Sequence, residues 1–278
     1  PSFLLPMKKF ILRINSFLLP HKSILIFCTG FFLASAIIFK LDADYTEDLF
    51  KQLARHIKEE AVSRHYTETE TIIHTMNVTY KMQLENKRNL FSYRPQSFKG
   101  IHMRSSDLDL LDVSGSCGSA TVVLMRTYLT MGYQARIGQM YVNNHYAGHM
   151  IVEVKVNGKW RVLDPLFNQF FYKSDSSLAS FEDLKQNFKF YSKQCGKWYP
   201  KKYMFENVRY TNWNKIPLIS PLLKKGLNLI YGEKEANEIC LRKYIIKFYI
   251  IWHYLFLTGF IVCSFFLLLQ KWLERNKI

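Results

Sequence analysis

Two uncharged apolar runs constrain this chain most. Ser23 to Phe39 reads SILIFCTGFFLASAIIF, 17 residues without a charge. Phe248 to Gln270 reads FYIIWHYLFLTGFIVCSFFLLLQ, with His253 as its one ionisable residue. A helix of roughly 17–25 apolar residues crosses the hydrocarbon core of a bilayer. A transmembrane helix is therefore expected at each end. Ala34-Ser35-Ala36 resembles a small-residue cleavage site, and Met7 precedes a basic stretch and an apolar stretch, so a cleaved signal peptide is the rival reading. Ile37-Ile38-Phe39 carries the apolar run past that site and favours an uncleaved anchor. In the second run Trp252, Tyr254 and Trp272 suit the interfaces, and His253 is expected to reach the headgroups.

Charge supports this arrangement. Of the net +16, the stretches outside 42–243 hold +5 at the N-terminal end and +3 at the C-terminal end, leaving +8 for the middle. Basic outer flanks put both termini in the cytoplasm and 42–243 outside the cell or in the periplasm, although Arg242, Lys243 and Lys247 lie on the inner edge. No Lys/Arg-rich run adjoins an aromatic nucleic-acid motif, so a nucleic-acid partner is not expected. The bilayer is the expected partner at the ends, and the basic middle suits an acidic one. Cys28 and Cys263 sit inside the apolar runs, and no cysteine or histidine spacing matches a metal site. No metal and no cofactor is expected. A Cys195–Cys240 disulfide is open in an oxidising compartment.

Four regions follow: a basic N-terminus with its anchor (1–41), a helical region (42–112), a core with its extension (113–243), and the second anchor with a basic tail (244–278). Hydrophobic residues make up 49% of the chain, enough to bury a sizeable core. Leu49, Leu53 and Ile57 at helical spacing predict a helix over 46–66, with Thr46 as N-cap. Ile72, Ile73, Met76, Tyr80 and Leu84 predict a second over 68–91. Within it, Asn77-Val78-Thr79 fits the glycosylation sequon in a mid-helix position ill suited to modification. Tyr93 to Gly100 reads as a loop.

Beyond Ser114-Gly115-Ser116, Cys117 to Met131 predicts a helix ending at Gly132. Gln134–Val142, His149–Val156 and Lys159–Leu163 predict strands, the last two joined by an Asn157-Gly158 hairpin. The region 172–240 reads as short amphipathic pieces and loops. The class is α+β: a nucleophile helix packed on an antiparallel sheet, with N-terminal helices before it.

Cys117 is placed where a helix begins, and helix N-termini lower a thiol pKa. Their free N–H groups also suit an oxyanion. A thiol nucleophile needs a base and the base an orienter. His149 lies eight residues before Asn157, and Asp164 lies six after Gly158, so the hairpin brings them to one end of the sheet. His145 is a rival base in the polar stretch Asn143-Asn144-His145-Tyr146. Cys195 lies among Lys193 and Lys197, which could lower its pKa, but it has no paired His and is read as non-catalytic.

Gly115-Ser116-Cys117 with Ala120, then Leu129, Gly132, Ala135 and Arg136, then Gly148-His149, Glu153-Val154 and Trp160-Arg161-Val162-Leu163-Asp164-Pro165 together resemble the transglutaminase-like superfamily of papain-fold enzymes. The resemblance covers about residues 113–170. It implies a papain-like core with Cys117 as nucleophile, His149 as general base and Asp164 as orienter. It also implies a peptide, protein or other amide-bearing substrate that is hydrolysed or transferred through a thioester. The chain departs from the pattern at Ile151, where the family often has an aromatic residue. No acidic cluster suggests the calcium sites of animal transglutaminases. The rival expectation is a membrane-bound binding or assembly module that keeps the fold without chemistry.

Overall fold

A computed structural model describes residues 22–84, 106–111, 117–213 and 220–275. The expectations for Met7, the 85–91 end of the second helix, the Tyr93–Gly100 loop and Ser114-Gly115-Ser116 lie outside them. The chain divides into two units, the described parts of Pro1–Tyr45 with Lys247–Ile278, and those of Thr46–Ile246.

The first unit is a helix pair. Helix α1, Lys22–Ser63, is continuous, so the expected anchor and the expected 46–66 helix are one element. No Gly or Pro interrupts residues 40–46, and Lys40 pairs with Asp44 one turn on at 2.5 Å, which supports helix across the expected boundary. Thr46 is therefore a buried interior residue and not an N-cap. The partner is the last helix, Phe248–Arg275, and both are long and apolar enough to cross a membrane. They run antiparallel: Lys22 meets Glu274 at 3.2 Å, Gly259 admits the Phe32 ring, and Phe39 stacks on Phe256 at 5.4 Å. His253 does not reach outward. Its Nδ1 lies 2.9 Å from the Ala36 carbonyl oxygen, because a polar ring on an apolar helix finds its partner in the neighbouring backbone.

In the second unit, helix α2 spans Glu68–Leu84. Thr67 and Glu70 form its capping box: Glu70 Oε2 accepts from the Thr67 amide at 2.7 Å, and Thr67 Oγ1 accepts from the Glu70 amide at 3.3 Å. Helix α3 is Ser106–Leu111 and helix α4 is Cys117–Thr130. Gly132 ends α4 at φ +94°, with Tyr133 N–H donating to Tyr128 O and Gly132 N–H to Leu129 O. That is the Schellman pattern, which only glycine adopts without strain.

The sheet is antiparallel, in the order β4-β3-β2-β1-β5. Its strands are β1 Ala135–Val142, β2 His145–Val156, β3 Lys159–Asp164, β4 Gln169–Phe170 and β5 Val208–Arg209. Asn157 and Gly158, both at positive φ, turn β2 into β3. A second such turn at Asn143-Asn144 starts β2 at His145, four residues earlier than expected. Side-chain alternation sorts the faces. Ile137, Val152, Val154 and Leu163 meet Leu124, Met125 and Tyr128 of α4, with Ile72 and Met76 of α2 behind them. Met140, Ile151 and Val162 meet an aromatic cover of Phe171, Phe181, Tyr199, Tyr203 and Phe205.

The cover comes from the expected short pieces: α5 Phe181–Gln186, α6 Phe188–Tyr191, a 3-10 turn Ser192–Gln194 and the chain that follows. Beyond it lie α7 Ser220–Tyr231, α8 Glu233–Glu238 and α9 Arg242–Ile245, and the helix Phe248–Arg275 is α10. Cys195 and Cys240 are free thiols, which removes the disulfide. Cys240 is buried in the cluster under α4 and Cys195 is half-buried against the aromatic cluster, so the two belong to different cores.

Candidate active site

Two residues from neighbouring strands start the site. The register sets Val152 opposite Leu163, and continuing it places Asp164 opposite Ile151. His149 is two residues from Ile151 and shares its face, so the imidazole and carboxylate meet diagonally. His149 Nε2 lies 2.6 Å from Asp164 Oδ2, with both side chains fully buried. Asp164 has two more donors, the Tyr199 hydroxyl to Oδ2 at 2.9 Å and the Leu166 amide to Oδ1 at 3.2 Å. Tyr203 stacks on the imidazole at 4.1 Å with ring planes 9° apart, and Phe167 stands at 5.8 Å.

A local irregularity aims the histidine. Met140 pairs with His149 while Tyr141 pairs with Tyr146, so Ala147 and Gly148 bulge out of β2. Ala147 takes φ +69°. A Cβ on Gly148 would lie 2.7 Å from Val142 Cβ and 3.1 Å from Val142 O. Gly148→Ala is therefore expected to cost about 1–3 kcal/mol of overpacking and to displace the ring that follows. The measurements are the melting temperature and the alkylation rate of Cys117; a variant unchanged in both would show that the bulge does not set the ring.

Cys117 opens α4 and is partly exposed, so its thiol is not sealed in the core. Burial pushes its pKa up, but hydrogen bonding to His149, the imidazolium charge and the Met150 backbone amide outweigh that and leave it lowered. For His149, burial favours the neutral ring, but the Asp164 charge and hydrogen bond, with help from Cys117, raise its pKa to about 9. Because Nε2–H donates to Asp164, the lone pair falls on Nδ1. Nδ1 has no partner at strict hydrogen-bond geometry, although the thiol is near enough for each group to shift the other. Such contacts are commonly long before substrate binds. The set eases ionisation of Cys117 and raises the proton affinity of the ring beside it.

The other sequence candidates fall away. His145 is exposed, and its Nδ1 lies 3.0 Å from the Asn143 carbonyl oxygen. Cys195 is not activated by its basic neighbours: burial, then the charge of Asp164, push its thiol up to about 11. Arg136 and Trp160 serve the far end of the same sheet face. The guanidinium lies between Trp160 at 4.1 Å and Tyr210 at 3.8 Å and meets Glu153 at 2.7 Å. A cleft of about 570 Å³ opens there, lined by Arg136, Trp160 and Lys185 and by none of the three candidate catalytic residues.

Sequence reasoning missed Tyr199, Tyr203, Phe167 and the Met150 amide. Nothing local to the tyrosines marks them, since Tyr199 reaches Asp164 across 35 residues of chain. Compared with known proteins, the chain matches no family model, no curated protein and no solved structure.

Proposed function

We propose that this chain is a membrane-anchored thiol enzyme of the transglutaminase-like, papain-fold kind, acting on an amide or acyl substrate. One observation carries the reading: a buried imidazole holds Asp164 on Nε2 and leaves Nδ1 to a partly exposed thiol at a helix N-terminus. The papain-like character of the core rests on the motif resemblance, and the membrane location on the two apolar helices with their basic outer flanks. On the positive-inside reading both termini are cytoplasmic and the catalytic unit is periplasmic or extracellular.

The chemistry follows from the residues. Cys117 gives its proton to His149 Nδ1, and Sγ bonds to the carbonyl carbon. The carbonyl oxygen becomes an oxyanion facing the free amides at the start of α4. The carbon–nitrogen bond then breaks, and the leaving amine takes the proton from His149. A thioester remains. Water or a second amine attacks it, His149 accepts that nucleophile's proton, and the thiol is restored. Asp164 holds the ring and balances the imidazolium throughout.

The test uses the full chain in a non-ionic detergent with an activated acyl probe, read by intact mass and peptide mapping. Wild type is expected to gain one acyl mass at Cys117, and Cys117→Ala none. A folded wild type that binds peptides but never acylates would leave the non-catalytic binding or assembly module as the function.

A further inference from the structure

Residues 184–205 contain no Asp or Glu but six lysines: Lys185, Lys189, Lys193, Lys197, Lys201 and Lys202. None of the six has an ion pair to a carboxylate among the described residues. The last part of this stretch has two sides. Tyr199, Tyr203 and Phe205 point inward and are buried, while Lys197, Trp198, Lys201, Lys202 and Met204 are exposed, Trp198 at 90%.

The inward side fixes where the outward side must be. Tyr199 is bonded to Asp164 and Tyr203 lies on His149. Lys202 Nζ stands 5.7 Å from the Tyr203 ring, itself 4.1 Å from the imidazole, so the ammonium is within about 10 Å of the candidate base. That is close to one Debye length at moderate salt. Trp198 and Lys202 each adjoin a tyrosine of the site in the chain. An exposed indole among ammonium groups without ion pairs, on the stretch whose tyrosines contact His149 and Asp164, is suited to a partner with carboxylates and an apolar group.

We propose that the exposed side of 193–204 is the docking surface for an acidic polypeptide, the substrate whose amide reaches Cys117. This rests on the thiol-enzyme reading above. A polypeptide fits better than an anionic bilayer, because a membrane pressed onto this surface would cover the thiol it adjoins.

The experiment compares two vinyl sulfone peptides of equal length, one rich in Glu and one rich in Lys, on the full chain in non-ionic detergent. Labelling of Cys117 is followed by mass spectrometry, and equilibrium binding of an unreactive Glu-rich peptide by fluorescence anisotropy. At low salt the acidic probe is expected to label about tenfold faster or more, and the ratio to collapse at high salt. Combined Lys197→Gln, Lys201→Gln and Lys202→Gln should bring the ratio near one while iodoacetamide alkylation of Cys117 is unchanged. Equal rates in wild type, or a ratio that survives the three substitutions, would overturn the proposal. So would a wild type indifferent to peptide charge whose labelling is blocked by phosphatidylglycerol vesicles, which would assign the surface to lipid. Failure of the thiol-enzyme reading looks different: iodoacetamide then labels Cys117 as an ordinary thiol, while the anisotropy still reports whether acidic peptide binds.

Discussion

Replacing His149 by alanine is expected to slow iodoacetamide alkylation of Cys117 at pH 6 by about tenfold or more, the lower end of what a lost base and ion-pair partner removes. A thiol of ordinary pKa near 8.5 is only about 0.3% ionised at that pH. In the wild type the imidazolium and the Met150 amide more than offset the burial of Cys117 and lower its pKa. The ring keeps its proton up to about 9, so the thiolate beside it should form at a lower pH than in an ordinary thiol. In His149→Ala the burial remains and the largest compensation is gone, so reactivity should rise only above the ordinary thiol range. Peptide mapping separates Cys117 from the other four cysteines. Superimposable rate profiles for the two folded proteins would remove the activation argument and the enzyme with it.

The part of this site that sequence made legible is the part specified by short-range rules. Asn157-Gly158 fixes a two-residue turn, the turn fixes the register, and the register places His149 and Asp164 on one face. Gly132 ends α4, and that fixes which residues of the helix meet the sheet. What was not legible depends on contacts distant in the chain. The Ala147-Gly148 bulge appears only in the pairing of β2 with β1, and Val142 leaves no room for a side chain at Gly148. Tyr199 and Tyr203 sit in a stretch without periodicity and become part of the site only when the cover folds over Ile151 and Val162. The ring that stacks on His149 comes from Tyr203, which no local pattern reveals. The merging of the anchor with the 46–66 helix was hidden for another reason: acidic residues after an apolar run read as a boundary, although helix tolerates them.

Asp164→Asn should remove most of the pH dependence of the second unit's stability and weaken the fold itself. Breaking a buried pair by removing one partner costs about 3–5 kcal/mol, and asparagine, which keeps the shape and one acceptor oxygen, should fall toward the lower end. Three donors converge on the Asp164 carboxylate, and all of them lose their charged acceptor in the variant. The folded pKa of His149 is raised from 6.5 to about 9. Its contribution is therefore fully present below the unfolded value of 6.5 and is lost as pH climbs through about 9. A rise of that size corresponds to about 3 kcal/mol. The measurement is urea unfolding of the full chain in detergent at pH 6, 7.5 and 9.5, followed by near-ultraviolet circular dichroism. A Cys117→Ser background removes the thiol's own titration, and the window should then close somewhat below 9 because the thiol also raises the ring. Wild-type carboxylate in that background should lose stability across the window, and Asp164→Asn should start lower and stay nearly flat. A flat profile with the carboxylate present would mean that Asp164 does not hold a charged imidazole, and that His149 has no orienter.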